Sequence, residues 1–84
     1  MSDFDIQGTI LLKYTGTNED VVIPDGIETI GEGAFRNCRF LRNVTIPGTV
    51  RKIESNAFSS CTKLQSIVIP EGVTTIEGGA FYNC

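Results

Sequence analysis

The chain has 84 residues, with three cysteines, no histidine, no tryptophan and a formal net charge of −3. The lack of histidine excludes Ser/His/Asp and Cys/His catalytic sites and histidine-ligated zinc. Three cysteines cannot all pair within one chain, and so mild a net charge does not support a nucleic-acid-binding function. A hydrophobic content of 40% in a chain of this length indicates one globular domain.

The N-terminus, Met1-Ser2-Asp3-Phe4-Asp5, is acidic and has no apolar run of signal-peptide length. No stretch approaches the roughly 20 apolar residues of a membrane helix, so we expect no membrane insertion. Two interpretations stay open: a cytoplasmic protein, or a piece of a longer secreted chain.

The N-terminal segment, 1–21, predicts a β-hairpin. Phe4, Ile6, Ile10, Leu12 and Tyr14 all have even numbers, the alternation of strands. We expect strands at about 3–6 and 9–14, joined by a turn at Gln7-Gly8. A polar loop, 15–20, then leads into the first repeat strand at 21–23.

A repeat with a period of about 23 residues begins at Val22. It runs through 22–44, 45–67 and 68–84, and the third copy is incomplete. The copies share identical residues at six positions, which in the first copy are Ile23, Pro24, Ile30, Ala34, Phe35 and Cys38. Since the third copy stops short, we expect the chain to be part of a longer array.

Each repeat predicts one strand followed by a turn. Leu41, Val44 and Ile46 follow a pattern in which the last two side chains share one face of a strand. Pro47 follows directly and ends the strand, because proline cannot donate to a strand ladder. Glycine within or near each of these turns allows a positive φ.

The rest of the repeat predicts a second short extended stretch, 50–53, on the opposite side of the coil. Ala57-Phe58-x-x-Cys61 then places Phe and Cys three positions apart, as in a single 3₁₀ or helical turn that directs both inward. About 23 residues are too few for a strand, a crossover helix and a return.

No single repeat can bury its own apolar edge, so the repeats must stack. Stacking at about 4.8 Å per coil pairs each strand with the next and aligns the Ile, Val, Leu and Phe columns. The predicted fold is a β-rich solenoid: a right-handed, leucine-rich-repeat-like coil of short parallel strands. Residues 1–21 would cover its first coil as an N-terminal cap.

The pattern L-x-x-V/I-x-I-P-x-x-V-x-x-I-x-x-x-A-F-x-x-C over residues 22–84 resembles the BspA-type leucine-rich repeat, which is common in bacterial surface proteins. The resemblance implies a non-catalytic protein-binding module, part of an adhesin at the cell surface or secreted. It brings no catalytic residues and no cofactor, so we do not expect an enzyme. The alternative is a structural spacer or capping fragment of a longer repeat array.

Cys38, Cys61 and Cys84 occupy one column of the repeat, next to Ala-Phe. We expect core thiols rather than metal ligands, because free cysteine behaves as a small, buried hydrophobe. A disulfide between adjacent coils, or a redox function, stays open as an alternative.

The predicted binding surface is the strand face that points away from the core. We call it the outer strip, and its members are Asp20, Val22, Asn43, Thr45, Ser66 and Val68. A candidate basic patch lies between residues 36 and 63 and comprises Arg36, Arg39, Arg42, Arg51, Lys52 and Lys63. The expected partner is a protein, not a nucleic acid, and a second copy could also bind at an uncapped C-terminal coil.

Overall fold

The computed structural model describes residues 3–84, so the first two residues of the predicted cap lie outside the described part. Eight short strands follow one another: β1 (Phe4–Gln7), β2 (Ile10–Tyr14), β3 (Asp20–Val22), β4 (Thr29–Ile30), β5 (Asn43–Thr45), β6 (Lys52–Ile53), β7 (Ser66–Ile67) and β8 (Thr75–Ile76). Within residues 3–84 there is no helix that could cross a membrane.

The strands form two sheets along the stack of coils. A five-stranded sheet has the order β1-β2-β4-β6-β8, and a three-stranded sheet has the order β3-β5-β7. All pairs are parallel except the hairpin β1–β2. In the three-stranded sheet Val21 pairs with Val44 and Val44 with Ile67, a step of one repeat. The predicted repeat solenoid of stacked parallel strands is confirmed.

The repeated apolar positions form ladders through the core. The Phe35 and Phe58 rings stack at 4.9 Å between centroids, and those of Phe58 and Phe81 at 5.4 Å. Tyr14 extends this column, with its ring 5.3 Å from that of Phe35. We call these four residues the aromatic column. Because every coil contributes one ring, burial of each ring depends on its neighbours.

The hairpin joins the five-stranded sheet through β2. Leu11, which is fully buried, pairs with Ile30 of β4. The Tyr14 N–H donates to Ala34 O at 3.0 Å, just as the Phe35 N–H of the first coil donates to Ala57 O of the next. The boundary between cap and repeats at residue 21 stays a prediction.

The predicted 3₁₀ or helical segments at Ala-Phe-x-x-Cys are replaced by successive tight turns, and residues 3–84 contain no helix. In the first repeat Ala34 N–H donates to Gly31 O and Cys38 N–H to Phe35 O, at 3.1 and 3.2 Å. Gly33 has a φ of 64° and Asn37 a φ of 62° within these turns. A left-handed residue at the third position is typical of β-turns with Gly or Asn there, and it interrupts a 3₁₀ helix.

These turns form a third side of each coil, which we call the turn side. Phe35 N–H donates to Ala57 O and Phe58 N–H to Ala80 O, both at 2.7 Å. The backbone hydrogen bonds of the coils therefore continue from one coil to the next even outside the two sheets.

Burial falls off in the last coil. The equivalent residues Ile23, Ile46 and Ile69 have 1%, 8% and 37% of their surface exposed. Ile69 and Ile76 have no following coil in residues 3–84 to cover them, so one end of the apolar core is in contact with solvent.

Candidate functional site

The outer strip lies on the three-stranded sheet, and the structure brings its residues into register. Val21 and Val44 point into the core, so the residues on either side of each point outward. Asp20 pairs with Asn43 and Asn43 with Ser66, while Val22 pairs with Thr45. All of these outward residues are exposed.

Val68 differs slightly from the prediction because β7 ends at Ile67, just before it. Val68 is nevertheless 75% exposed, directly beyond the strand. The strip therefore has two rows with different chemistry. One row is polar (Asp20, Asn43, Ser66), and the other is small and β-branched (Val22, Thr45, Val68).

A side-chain hydrogen bond joins two members of the polar row. The Asn43 Nδ2 donates to Asp20 Oδ1 at 2.7 Å, which joins two adjacent coils. Next to it, the Arg42 Nε lies 3.5 Å from Glu19 Oε1. Because Arg42 is paired with Glu19 and Asn43 is uncharged, the negative charge of Asp20 has no ionic partner among the ion pairs of residues 3–84.

A pocket opens at one end of the strip, and we call it the β3-edge pocket. It is lined by β3 together with Asp3, Phe4, Tyr14 and Asn18, and its volume is about 220 Å³. It lies where the loop after β2 and the start of β1 come against the first strand of the three-stranded sheet. The repeat pattern alone did not predict it.

Tyr14 lies beneath this pocket. Its side chain is buried, and its hydroxyl accepts a hydrogen bond from Asn18 N–H at 3.3 Å. The Asp3 carbonyl accepts two hydrogen bonds from Thr15, from N–H at 2.7 Å and from Oγ1 at 2.9 Å. Gly16 packs so closely on Tyr14 Oη and Asp3 Oδ2 that a Cβ atom there would collide with both.

The signal that could have indicated this pocket is local. Tyr14 ends the even-numbered apolar series in the sequence of the hairpin, and its hydroxyl needs a polar partner when it is buried. The glycine at position 16 allows the loop to pass over the ring, because it has no side chain. These two residues together indicate that the loop folds back on the hairpin.

The residues of the candidate basic patch do not share one face. Arg51 and Lys52 lie at or beside β6 of the five-stranded sheet, whereas Arg36, Arg39 and Lys63 lie in the turns and connections before β5 and β7. Lys52 Nζ lies 3.5 Å from Glu54 Oε2 and 3.6 Å from Glu77 Oε2. Carboxylates therefore balance Lys52 and, on the opposite sheet, Arg42.

The cysteines lie in the turn side. Cys38 and Cys61 are buried and Cys84 is exposed, and all three are free thiols. Cys61 Sγ donates to Phe35 O at 3.0 Å. Burial, reinforced by the neighbouring thiols of Cys38 and Cys84, raises the pKa of Cys61 to about 12. Burial also raises the pKa of Cys38. Thiols kept protonated in this way are poor nucleophiles and poor metal ligands.

No group of three or more Cys, Asp or Glu residues within 3–84 is arranged to hold a metal ion. The outer strip and the β3-edge pocket thus offer shape, hydrogen bonds and charge.

Comparison with known families agrees with this geometry. A model of the BspA type leucine rich repeat region matches residues 9–84 in six copies. The chain belongs to the BspA-type leucine-rich repeat family. The match begins at residue 9, so it includes β2 as well as the three repeats found in the sequence.

Two solved structures resemble this leucine-rich repeat chain. The leucine-rich repeat protein of T. pallidum is 38% identical over 89% of this chain, with a TM-score of 0.85. A leucine-rich cell surface protein of Faecalibacterium prausnitzii A2-165 is 31% identical over 87% of this chain, with a TM-score of 0.73. This chain spans 37% and 24% of the two neighbours' lengths. No curated protein matches it.

Proposed function

We propose that this chain is a protein-binding module that uses the outer strip, within an adhesive protein of a bacterial cell surface. The observation that supports this most is the strip itself: two rows of exposed side chains, in which all but Val68 are held in register by three parallel strands. Repeat solenoids commonly bind their partners on such extended surfaces.

The strip is well prepared for binding because its backbone is already ordered. The strands pair through a regular ladder, and the side chains of Val22, Thr45 and Ser66 are short. Short side chains lose little rotamer entropy when a partner immobilises them, so less of the contact energy is spent on ordering. The row of Val22 and Val68 supplies apolar area, and the row of Asp20 and Asn43 supplies hydrogen-bonding groups.

The size of the strip limits the affinity of this segment. Three strands about 4.8 Å apart give a surface only about 10 Å wide across the strands. A stable interface needs about 800 Å² from each partner. Binding by this segment should therefore be weak, and more coils would extend the same two rows. The greater length of the two structural neighbours fits this proposal.

The cell-surface location rests on the family and on one neighbour. The Faecalibacterium prausnitzii protein is described as a cell surface protein, and we extend that location to this chain as part of the proposal. A cytoplasmic location is the alternative.

Binding through the strip can be tested with one matched pair of variants. The chain is first screened by surface plasmon resonance against purified extracellular-matrix and bacterial surface proteins. Each protein that binds is then measured against Thr45→Arg, in the centre of the strip, and Thr75→Arg, an exposed strand residue of the five-stranded sheet. We expect Thr45→Arg to weaken binding at least tenfold and Thr75→Arg to leave it unchanged. Equal binding by both variants would overturn the proposal.

A second candidate function is that of a structural spacer within a longer array. The observation that favours it is the exposed apolar end, where Ile69 and Ile76 lie beside the unpaired edges of β7 and β8. These edges fit the next coil of an array, or the first strands of a second copy. A chain that binds none of the screened proteins but associates through this end would support the spacer function.

A further inference from the structure

We propose that the free edge of β3 binds an extended peptide segment of a partner protein as an added strand, with one arginine or lysine side chain of that segment in the β3-edge pocket. This inference rests on the proposed protein-binding function and names the chemistry of the partner. It places the partner at the end of the outer strip, where Asp20 and Val22 belong to both surfaces.

The first argument is the hydrogen bonding of β3. Asn43 N–H donates to Glu19 O at 3.1 Å and Ile23 N–H donates to Thr45 O at 3.0 Å, so the odd-numbered residues of this segment face β5. In a parallel pair the alternate residues direct their N–H and C=O groups to the other side. The backbone groups of Asp20 and Val22 therefore point away from β5, and within residues 3–84 the sheet has no strand on that side of β3.

The second argument is that further strands cover the edge of one sheet at this end but not the edge of the other. In the five-stranded sheet β1 and β2 lie outside β4, whereas β3 is the first strand of the three-stranded sheet. An exposed edge with unpaired N–H and C=O groups is a template for another strand. Partners that add a strand in this way gain affinity from the main chain and specificity from pockets for alternate side chains.

The third argument is the charge of the pocket. Its ionisable side chains include the carboxylates of Asp3 and Asp20, and none of its lining residues is basic. Asp20 accepts a hydrogen bond from the neutral amide of Asn43, which leaves the charge of Asp20 in place. The neighbouring Arg42 is paired with Glu19 instead of Asp20. A cation in the pocket would meet two carboxylates without first displacing a lysine or arginine of this chain.

The fourth argument is the size and the wall of the pocket. Its volume of about 220 Å³ suits one long side chain, whereas small-molecule sites begin at about 300 Å³. Phe4 and Tyr14, whose rings lie 5.2 Å apart, both line the pocket. Because the Tyr14 ring is buried and stacks on Phe35, the half-buried Phe4 ring supplies the aromatic surface on which a cation and its methylene stem can pack.

The test is a titration of the ¹⁵N-labelled chain, followed by NMR, with acetylated and amidated peptides. The first peptide is Thr-Val-Arg-Val-Thr and its control carries Glu in place of Arg. We expect the Arg peptide to shift the amide signals of Asp20 and Val22 and to bind at least tenfold more tightly than the Glu peptide. Equal binding of both peptides, or shifts that spare β3, would overturn the proposal.

Main-chain pairing is tested by N-methylation of the Arg peptide. In an added strand only alternate N–H groups face β3. Methylation of one alternate set should therefore abolish binding, and methylation of the other should leave it nearly unchanged. Equal effects of the two sets would exclude an added strand.

The pocket is tested by two charge-removing variants, Asp20→Asn and Asp3→Asn, and a control, Asp25→Asn, which carries the same change outside the pocket. Asp20→Asn keeps an oxygen that can accept from Asn43. We expect each pocket variant to remove most of the Arg-over-Glu preference and the control to keep it. An unchanged preference in Asp20→Asn would overturn the proposal.

The competing occupant is a second copy of the chain. If the β3 signals shift with protein concentration alone and added peptide has no effect, a second copy occupies the edge and the peptide proposal is wrong. Since these titrations do not use a partner of the outer strip, their failure leaves the strip proposal standing. Conversely, a Thr45→Arg variant without effect on partner binding would overturn only the strip proposal.

Discussion

Ser60 has a backbone conformation that serine rarely adopts. Its φ is 61°, while the equivalent residues of the other two repeats are Asn37 and Asn83, at 62° and 61°. Asparagine tolerates the left-handed region better than serine because its short amide can bond to the local backbone. Ser60 thus occupies a position for which the other copies of the repeat carry a better-suited residue.

We expect Ser60→Asn to raise the free energy of unfolding by about 0.5 kcal/mol, since left-handed backbone costs most L-residues roughly 1–2 kcal/mol. Urea denaturation followed by circular dichroism measures it. The control is Ser55→Asn, directly before Asn56, where φ is not positive. An equal gain in both variants would show that the backbone conformation is not the cause.

The thiol of Cys61 makes stability depend on pH above neutrality. Its pKa is raised to about 12 in the folded chain, whereas a thiol in an unfolded chain ionises near a pKa of about 8.5. The unfolded state therefore loses its proton first, and deprotonation favours unfolding. We expect this contribution to be complete below about pH 8.5 and to be lost as the pH rises toward about 12.

The measurement is urea denaturation of the chain and of Cys61→Ala between pH 8 and 11. The variant should start from a lower free energy of unfolding but lose less of it with rising pH. Parallel curves would show that other groups cause the decline. Alkylation under native conditions gives an independent check, because exposed Cys84 should react well before buried Cys38 and Cys61.

Side-chain positions could be predicted from the sequence better than backbone angles. The inward positions Phe35, Cys38 and Ile30 could be predicted because the same apolar residues recur at one fixed period. The left-handed residues could not be predicted so directly, since Gly33 and Asn56 occupy equivalent positions but differ in sequence. What they share is a positive φ, which the pattern of side chains does not reveal.

At the scale of elements, the aromatic column holds successive coils together. Phe58 lies in the middle of it, fully buried, with Phe35 on one side and Phe81 on the other. Each ring fills the space between the two sheets and the turn side. Loss of the central ring would therefore open a cavity that borders three coils.

We expect Phe58→Ala to lower the free energy of unfolding by about 3–5 kcal/mol, the usual cost of truncating a buried phenylalanine. Phe58→Leu should cost clearly less, because most of the volume is kept. Thermal and urea denaturation measure both. The control is Tyr82→Ala, at an exposed position. Its effect on stability should stay within about 0.5 kcal/mol, as is usual for surface substitutions. A small effect of Phe58→Ala would mean that the coils are held mainly by their backbone ladders.

The strands of the repeats could be predicted because two sequence signals agree: the alternation of apolar residues and the proline that ends each strand. Val44 and Ile46 alternate with outward residues, and Pro47 marks the end. Tyr14 and Gly16 indicate that the loop folds back on the hairpin. The β3-edge pocket itself depends on how Asp3 and Asn18 meet β3 in three dimensions. Residues 15–20 follow no periodic pattern, so the sequence carries little information about their path.

At the scale of the whole molecule, the two ends of the described coils differ. The hairpin strand β2 covers the first coil of the five-stranded sheet, while Ile76 of β8 is 48% exposed. Exposed apolar side chains next to unpaired strand edges favour association.

We expect the chain to associate at high concentration through β7, β8 and this apolar end. Multi-angle light scattering should show a mass that rises with concentration. Ile76→Lys should keep the chain monomeric, because a charge on the edge opposes pairing, whereas Leu12→Lys, at an exposed position of β2 at the other end of the stack, should not. A monomer at all concentrations would contradict this expectation.

Beyond the first residue of each turn segment, the hydrogen bonds of the turn side run in one direction. Gly33, Phe35 and Asn37 each donate their N–H to a carbonyl of the next coil, and Phe58 and Ser60 do the same. Aligned peptide dipoles add, as they do in a helix. The turn side is therefore an electrical dipole, with its negative end at the hairpin and its positive end at the last coil. Two such molecules attract when opposite ends meet and repel when like ends meet, so any chain of them should have a single polarity.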